Sequence, residues 1–231
     1  MPKEVISVNF EGLELAVWFC VSLFGFVGIV VPYFLSLEHL KLDEKYGKQK
    51  GKKLGEIFGV ISGWGFFLFW FGIWLSPQER FIIPLFQNFS IQIPILNLTI
   101  YLINLLLFIP FFVVGAWFGV AGVISTSLKV AETHRAETVV STGVYSIVRH
   151  PQYLGGILAH IGFSFLLSGL YSLVVTPLAI AIIYIISWKE ENELTKEFGQ
   201  KYVEYRSKVP MLIPKFNVKK VEEDAKEGKM L

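Results

Sequence analysis

Two short segments hold residue types able to do chemistry: Arg149-His150-Pro151-Gln152-Tyr153 and Glu190-Glu191. Pro151 suits the first turn of a helix, where its missing N–H costs nothing. His150 then sits at the cap with Arg149 just before it. Free N–H groups, the positive end of the helix dipole and Arg149 together make an anion site. The same two residues could equally face lipid head groups at a membrane boundary. Along that helix Tyr153, Gly156, His160 and Ser164 share one face by their spacing of three and four. Ionisable groups inside apolar helices usually face a cavity or a bundle interior, so the stripe predicts a polar cavity. The alternative is that His160 bonds a neighbouring helix and Gly156 only lets that helix approach. Glu190 and Glu191 lie four and three residues before Leu194, over the face that continues as Leu194, Phe198, Tyr202 and Tyr205. Carboxylates turned toward protein need partners; Arg149, Lys189 or a cationic ligand could supply them. They could also be ordinary acids at a helix start.

The elements that must position these residues are membrane helices. Of 231 residues 53% are hydrophobic, 16% aromatic and only 17% charged, against roughly 25% charged in soluble domains. Uncharged runs cover Leu15 to Leu37, Ile57 to Ser76 and Phe81 to Leu128, and Pro151 to Trp188 holds only His160 as an ionisable group. With about 20 residues per crossing, these runs predict an all-α integral membrane protein with five spans at about 13–37, 56–76, 98–128, 152–169 and 171–188. The last two form a hairpin turning at Ser168-Gly169. An amphipathic helix over about 189–208 follows, then a disordered tail from about 218, all in one domain. Lys41, Lys45, Lys48, Lys50, Lys52 and Lys53 crowd the first loop, and further basic residues fall in the third loop and the tail. Excess Lys and Arg mark the cytoplasmic side, which predicts an outside N-terminus and a cytoplasmic C-terminus. The first loop could also attract acidic lipid. The over-long first run, preceded by Glu4, Glu11 and Glu14, does not read as a cleaved signal peptide.

Lone Cys20 allows neither a disulfide nor a thiolate metal site. A net charge of +2 gives no reason to expect a nucleic-acid partner. No HExxH, GxSxG, Walker loop or GxGxxG opening a helix occurs, so no metal is expected.

Gly143-Val144-Tyr145 with Arg149-His150-Pro151-Gln152-Tyr153-Leu154-Gly155 resembles the RHPxYxG signature of the isoprenylcysteine carboxyl methyltransferase-like membrane methyltransferases, which include phospholipid methyltransferase relatives. Glu190-Glu191, Leu194, Phe198-Gly199, Tyr202, Tyr205, Val209-Pro210 and Pro214 resemble that family's ending. The likeness covers the C-terminal third; the N-terminal half shares only its membrane helices. It implies an S-adenosylmethionine-dependent methyltransferase acting on a lipophilic isoprenyl, lipid or prenylcysteine-like acceptor in the membrane. It implies a cofactor pocket formed by Tyr145, His150, Pro151, Tyr153, Gly155, Glu190 and Glu191, with Arg149, His150 and Glu190 in catalytic roles. Where prenylcysteine enzymes carry arginine before the glutamates, Ile185-Ile186-Ser187-Trp188-Lys189 offers only Lys189. An NADPH-dependent sterol or polyprenyl-type membrane reductase is the alternative, sharing the hairpin and the YxxY…P tail. A non-enzymatic membrane protein of the same fold is a third reading.

Overall fold

The computed structural model describes residues 10–86, 89–96, 98–136 and 138–215. The expected disordered tail from about 218 lies outside them. The first apolar run forms α1 (Phe10–Gly28) and α2 (Val30–Leu37), nearly continuous across Ile29. The lysine-rich loop is itself helical: α3 (His39–Tyr46) turns at Gly47 into α4 (Lys48–Leu75), which begins eight residues before the expected boundary. Its lysines form the first turns of a helix whose later turns are apolar, and no residue there breaks it.

A small antiparallel hairpin precedes the next long helix. β1 (Ser90–Ile93) pairs with β2 (Leu98–Tyr101), Ser90 opposite Tyr101 and Ile93 opposite Leu98. The start expected for a helix at 98 is therefore strand. Pro94 opens the connecting turn, and Thr99 and Ile100 are β-branched, which favours a pleated chain. Then come α5 (Leu102–Thr126), α6 (Leu128–Thr133), α7 (Pro151–Leu166), α8 (Leu170–Phe198) and α9 (Gln200–Lys208).

Among the described residues, four helical segments are long and apolar enough to cross a membrane: Val17–Leu37, Lys48–Leu75, Leu102–Thr126 and Leu170–Phe198. The sequence pattern predicts five. The difference is α7, whose 16 residues reach only about 24 Å at 1.5 Å per residue, short of the ~30 Å hydrocarbon core. The helix ends where Leu167-Ser168-Gly169 turns, Ser168 adopting a φ of 50°. The turn is tied down by Asn104 Nδ2, which donates to Phe165 O and to Ser168 Oγ, both at 2.6 Å. The final elements also differ from expectation. No break follows Trp188, because Lys189–Phe198 contains only helix-tolerant residues. The last long helix therefore runs on to Gly199, which stops it with a φ of 55° that suits glycine, and α9 is a separate short helix.

The packing that matters most for the site is that of α7 on α5. A Cβ on Gly155 would lie 2.6 Å from Gly115 O and 2.7 Å from Gly119 N. The two backbones touch there, as small residues permit between membrane helices. The buried core on the other side of α7 joins Phe26, Trp70, Ile73 and Trp74 to Ile182, Ile183 and Ile186 of α8.

Candidate active site at the mouth of an apolar cavity

The ends of α2, α5 and α8 and the starts of α4 and α7 gather at one end of the bundle, where the two polar segments of the sequence meet. Pro151 opens α7 and His150 caps it. The residues before the helix are held by the chain after α9: Arg149 N donates to Pro210 O at 2.9 Å and His150 N to Met211 O at 3.1 Å. Arg149 Nη1 donates to Arg206 O at 2.9 Å and also to Val209 O. A strap over 206–211 therefore clamps the start of α7.

Arg149 and His150 share one oxygen of Glu191. Arg149 Nε donates to Glu191 Oε1 at 2.7 Å, and His150 Nε2 lies 3.1 Å from the same atom. The Glu191 side chain is wholly buried and that of Arg149 is 8% exposed. The other oxygen, Oε2, lies 3.2 Å from Arg206 Nε without hydrogen-bond geometry and has no hydrogen-bond partner. Glu190 faces the other way. Its Oε2 accepts from the Tyr153 hydroxyl at 2.6 Å and lies 3.7 Å from His150 Nδ1. The His150 and Tyr153 rings stack within 6° of parallel, centroids 5.3 Å apart. The Tyr153 hydroxyl also bonds that of Tyr33 on α2.

These groups stand at one end of a cavity of about 650 Å3, within the ~300–1,000 Å3 of small-molecule pockets. Arg149, His150, Glu190, Tyr145, Tyr153, Tyr202 and Tyr205 line its polar mouth, and Gly155 borders it as well. Pro151 and Glu191 are not on its wall; Glu191 acts from behind Arg149 and His150. Gln152 Nε2 donates to the Tyr145 hydroxyl at 3.2 Å and the Tyr205 hydroxyl to Tyr145 O at 2.7 Å. Burial, more than the nearby glutamates, pushes the Tyr202 phenol up. Burial raises Tyr145 and Tyr205 as well. All three remain protonated donors. Tyr33, Thr126, Glu132, His134 and Gln152 also line it, and the apolar remainder of its wall runs between α4, α5, α7 and α8. Between α4 and α5, wall residues Trp64, Phe67, Val120 and Ile124 are exposed.

Three sequence expectations resolve differently. His160 takes its alternative role: Trp70 and Trp74 both donate to its Nδ1, and it does not line the cavity, whereas Tyr153 and Gly156 on the same helix do. Lys189 does not serve the glutamate pair; its Nζ bonds Glu38 and Glu193, each at 2.9 Å. Those contacts hold the Glu38 carboxyl below its ordinary range, with Lys41 assisting. The N-terminal half, which showed no motif, supplies Tyr33 and the wall of α4.

His134 also escaped the sequence reading. It has a φ of 54°, its ring lies 4.2 Å from that of Tyr33, and its Nδ1 is 2.8 Å from Ser36 Oγ. Ser36 gives its own hydrogen to Tyr33 O, so Nδ1 of His134 is the donor. His39 Nε2 donates to His134 O at 2.9 Å. Burial foremost, with His39 nearby, pushes His134 down to about 4. Two isolated histidines 95 positions apart carry no spacing signal that would have joined them.

The fold and site define a helical integral membrane protein with a polar, ion-paired pocket at the mouth of an apolar cavity. Over residues 98–201, which hold both motifs through Lys201, the chain matches the family model described as phospholipid methyltransferase, and over this segment the family resemblance is shown. Its relatives include the protein-S-isoprenylcysteine O-methyltransferase of Saccharomyces cerevisiae, 37% identical over 84 residues, 33% of this chain and 32% of that protein. The Xenopus laevis protein of the same name is 35% identical over 91 residues, 36% of this chain and 29% of its own. Methanethiol S-methyltransferase 2 of Bradyrhizobium diazoefficiens is 38% identical over 85 residues, 36% of this chain and 31% of that protein. The match thus spans about a third of these relatives' lengths. No solved structure matches the chain significantly.

Proposed function

We propose that the protein is an S-adenosylmethionine-dependent membrane methyltransferase acting on a lipophilic acceptor. The observation that carries this reading is the junction of a charged, hydrogen-bonding mouth, built largely from the segment that matches the family, with a mainly apolar cavity between membrane helices. The relatives bearing methyltransferase names support it, and nothing among them supports the reductase alternative.

The residues at the mouth fit the cofactor. Its ammonium or ribose hydroxyls suit the Glu190 carboxylate, and its carboxylate suits the face of Arg149 and His150. Glu191 stands behind the wall and holds Arg149 and His150 toward the cofactor. When bound, the cofactor would supply a methyl group on a sulfonium centre, open to in-line displacement. The chain's own work is then alignment, from which much of the rate of such a reaction comes. The 206–211 strap and Glu191 fix Arg149 and His150, while the cavity walls hold the acceptor and keep water out. An amine or thiol acceptor must also lose a proton. Glu190, reached directly or through the Tyr153 hydroxyl, is the group placed to take it, with His150 beside it. The lipophilic acceptor enters at the α4–α5 seam. With α7 carrying the chain back to the end of the bundle where Gly169 bridges Arg80, the lysine-rich end is cytoplasmic, the N-terminus outside and the C-terminus cytoplasmic, as the clustering of Lys and Arg at that end supports.

Calorimetric titration of the detergent-purified protein with S-adenosylhomocysteine and, separately, NADPH tests the reading. Binding of the first alone is expected; binding of NADPH alone would overturn it.

A further inference from the structure

The inner end of the cavity is closed by four helices at one level. Followed inward from the mouth, the last wall residues are Trp70 on α4, Phe112 on α5, Ala159 on α7 and Ile183 on α8. Trp70 is the largest of them and is 3% exposed. Its Nε1 donates to His160 Nδ1 at 2.7 Å, and Trp74 Nε1 donates to the same nitrogen at 2.9 Å. Because Nδ1 accepts, Nε2 carries the proton, and it donates to Ser172 O at 3.1 Å. Phe66 packs edge-on against the Trp70 indole with centroids 4.9 Å apart, and Phe26 lies at 5.5 Å. On the opposite side the indole rests on backbone: a Cβ on Gly156 would lie 3.2 Å from Trp70 Cη2. Swinging the ring aside would strand a buried N–H among apolar helices, which is costly where no water can replace its partner. The floor is therefore fixed. Ten residues of α4 separate Val60 on the wall from Trp70, a depth of about 15 Å at 1.5 Å per residue.

We propose that Trp70 sets the length of apolar chain the cavity admits, and that His160 is a positioning residue that holds the indole across the cavity floor. The proposal rests on the reading of the cavity as an acceptor site and adds which residues select the acceptor.

The test uses hexyl, decyl and hexadecyl thiols, apolar chains with a small neutral head group, titrated calorimetrically into the detergent-purified full chain. The wild type is expected to bind the shorter chains and discriminate against hexadecyl. Trp70→Ala should gain hexadecyl affinity by about tenfold or more, as expected when several methylenes enter a pocket that excluded them. Ala159→Leu, which fills the floor from the opposite helix, should lose decyl and keep hexyl. His160→Phe should shift the profile toward that of Trp70→Ala, and His160→Gln, which retains an acceptor, should restore it. The opposed directions of Trp70→Ala and Ala159→Leu keep the test decisive if one variant fails to fold. An unchanged chain profile in both, or no saturable binding of any chain by the wild type, would overturn the proposal. S-adenosylhomocysteine titrated into the same samples judges the methyltransferase reading by itself: its failure to bind, with the chain profile shifting as described, would sink that reading and leave the gauge standing.

Discussion

Arg149 and Glu191, 42 positions apart in the chain, form a buried ion pair at 2.7 Å that locks the start of α7 to the end of α8. Removing one partner of a buried pair leaves the other charge uncompensated, at a cost of about 3–5 kcal/mol. Arg149→Ala should therefore lower the thermal midpoint of the purified protein by several degrees as well as abolish binding of S-adenosylhomocysteine. Full binding with an unchanged midpoint would show that the pair does no structural work.

The two glutamates should separate in the same assays. Glu191 is off the cavity wall and Glu190 on it. Glu190→Gln is expected to lose cofactor binding with little change in midpoint, because the side chain is partly solvated at 23% exposure and the amide still accepts from Tyr153. Glu191→Gln should lose both, since it frees Arg149. Identical behaviour of the two variants would remove this division of labour.

Much of this arrangement was legible in the sequence. The Arg149-His150-Pro151 segment announced the start of a helix, and the placement of Glu190 and Glu191 over the face of Leu194 pointed to partners in the protein or a cationic ligand, with ordinary helix-start acids as the alternative. What could not be read was which partner each acid takes. Lys189 is adjacent in sequence but its helix turns it toward Glu38, a residue 151 positions away. The count of long spans differs at α7 because that helix begins only at Pro151 and stops at Leu166, just before the turn expected at Ser168-Gly169, which leaves it 16 residues long. Tyr33 and His134 were invisible because each gains its role only through contacts made by the tertiary fold.

His134 should make stability depend on pH. Its value of about 4, against an ordinary 6.5, means the folded chain favours the neutral ring. The stabilisation is fully present above pH 6.5 and is lost as the pH falls toward 4, where the unfolded chain binds a proton that the folded one resists. The thermal midpoint should decline across that window in the wild type. His134→Asn, which tolerates the left-handed φ of 54°, should show a shallower decline; an identical slope would assign the effect to other groups.

Gly155 tests the helix contact beneath the site. Its missing side chain lets α7 lie 2.6 Å, measured from a hypothetical Cβ, from Gly115 O, and backbone cannot yield as a flexible side chain would. Gly155→Ala should force the helices apart at a cost of about 1–3 kcal/mol, the range for overpacked sites, read as a lower thermal midpoint. The partner change Gly115→Ala acts on the same contact, where its own Cβ would lie 2.9 Å from Gly155 O. The double variant should therefore cost less than the sum of the two, as coupled neighbours do. Additive losses would mean that the two glycines do not share one interface.

The strap after α9 gives the last prediction. Pro210 O and Met211 O accept from the backbone N–H groups of Arg149 and His150, and Arg206 O and Val209 O accept from the Arg149 guanidinium. None of these bonds depends on a side chain of residues 209–211, so single substitutions at Val209 and Pro210 should be mild, whereas ending the chain after Lys208 removes the Val209, Pro210 and Met211 acceptors together. The N–H groups would then lack partners and Arg149 would keep only Arg206 O and Glu191. The shortened chain should retain its helical circular dichroism, because the spanning helices are untouched, and lose S-adenosylhomocysteine binding by at least tenfold, the equivalent of about 1.4 kcal/mol. Undiminished binding would show that Glu191 and Arg206 O suffice to hold Arg149 and His150 in place.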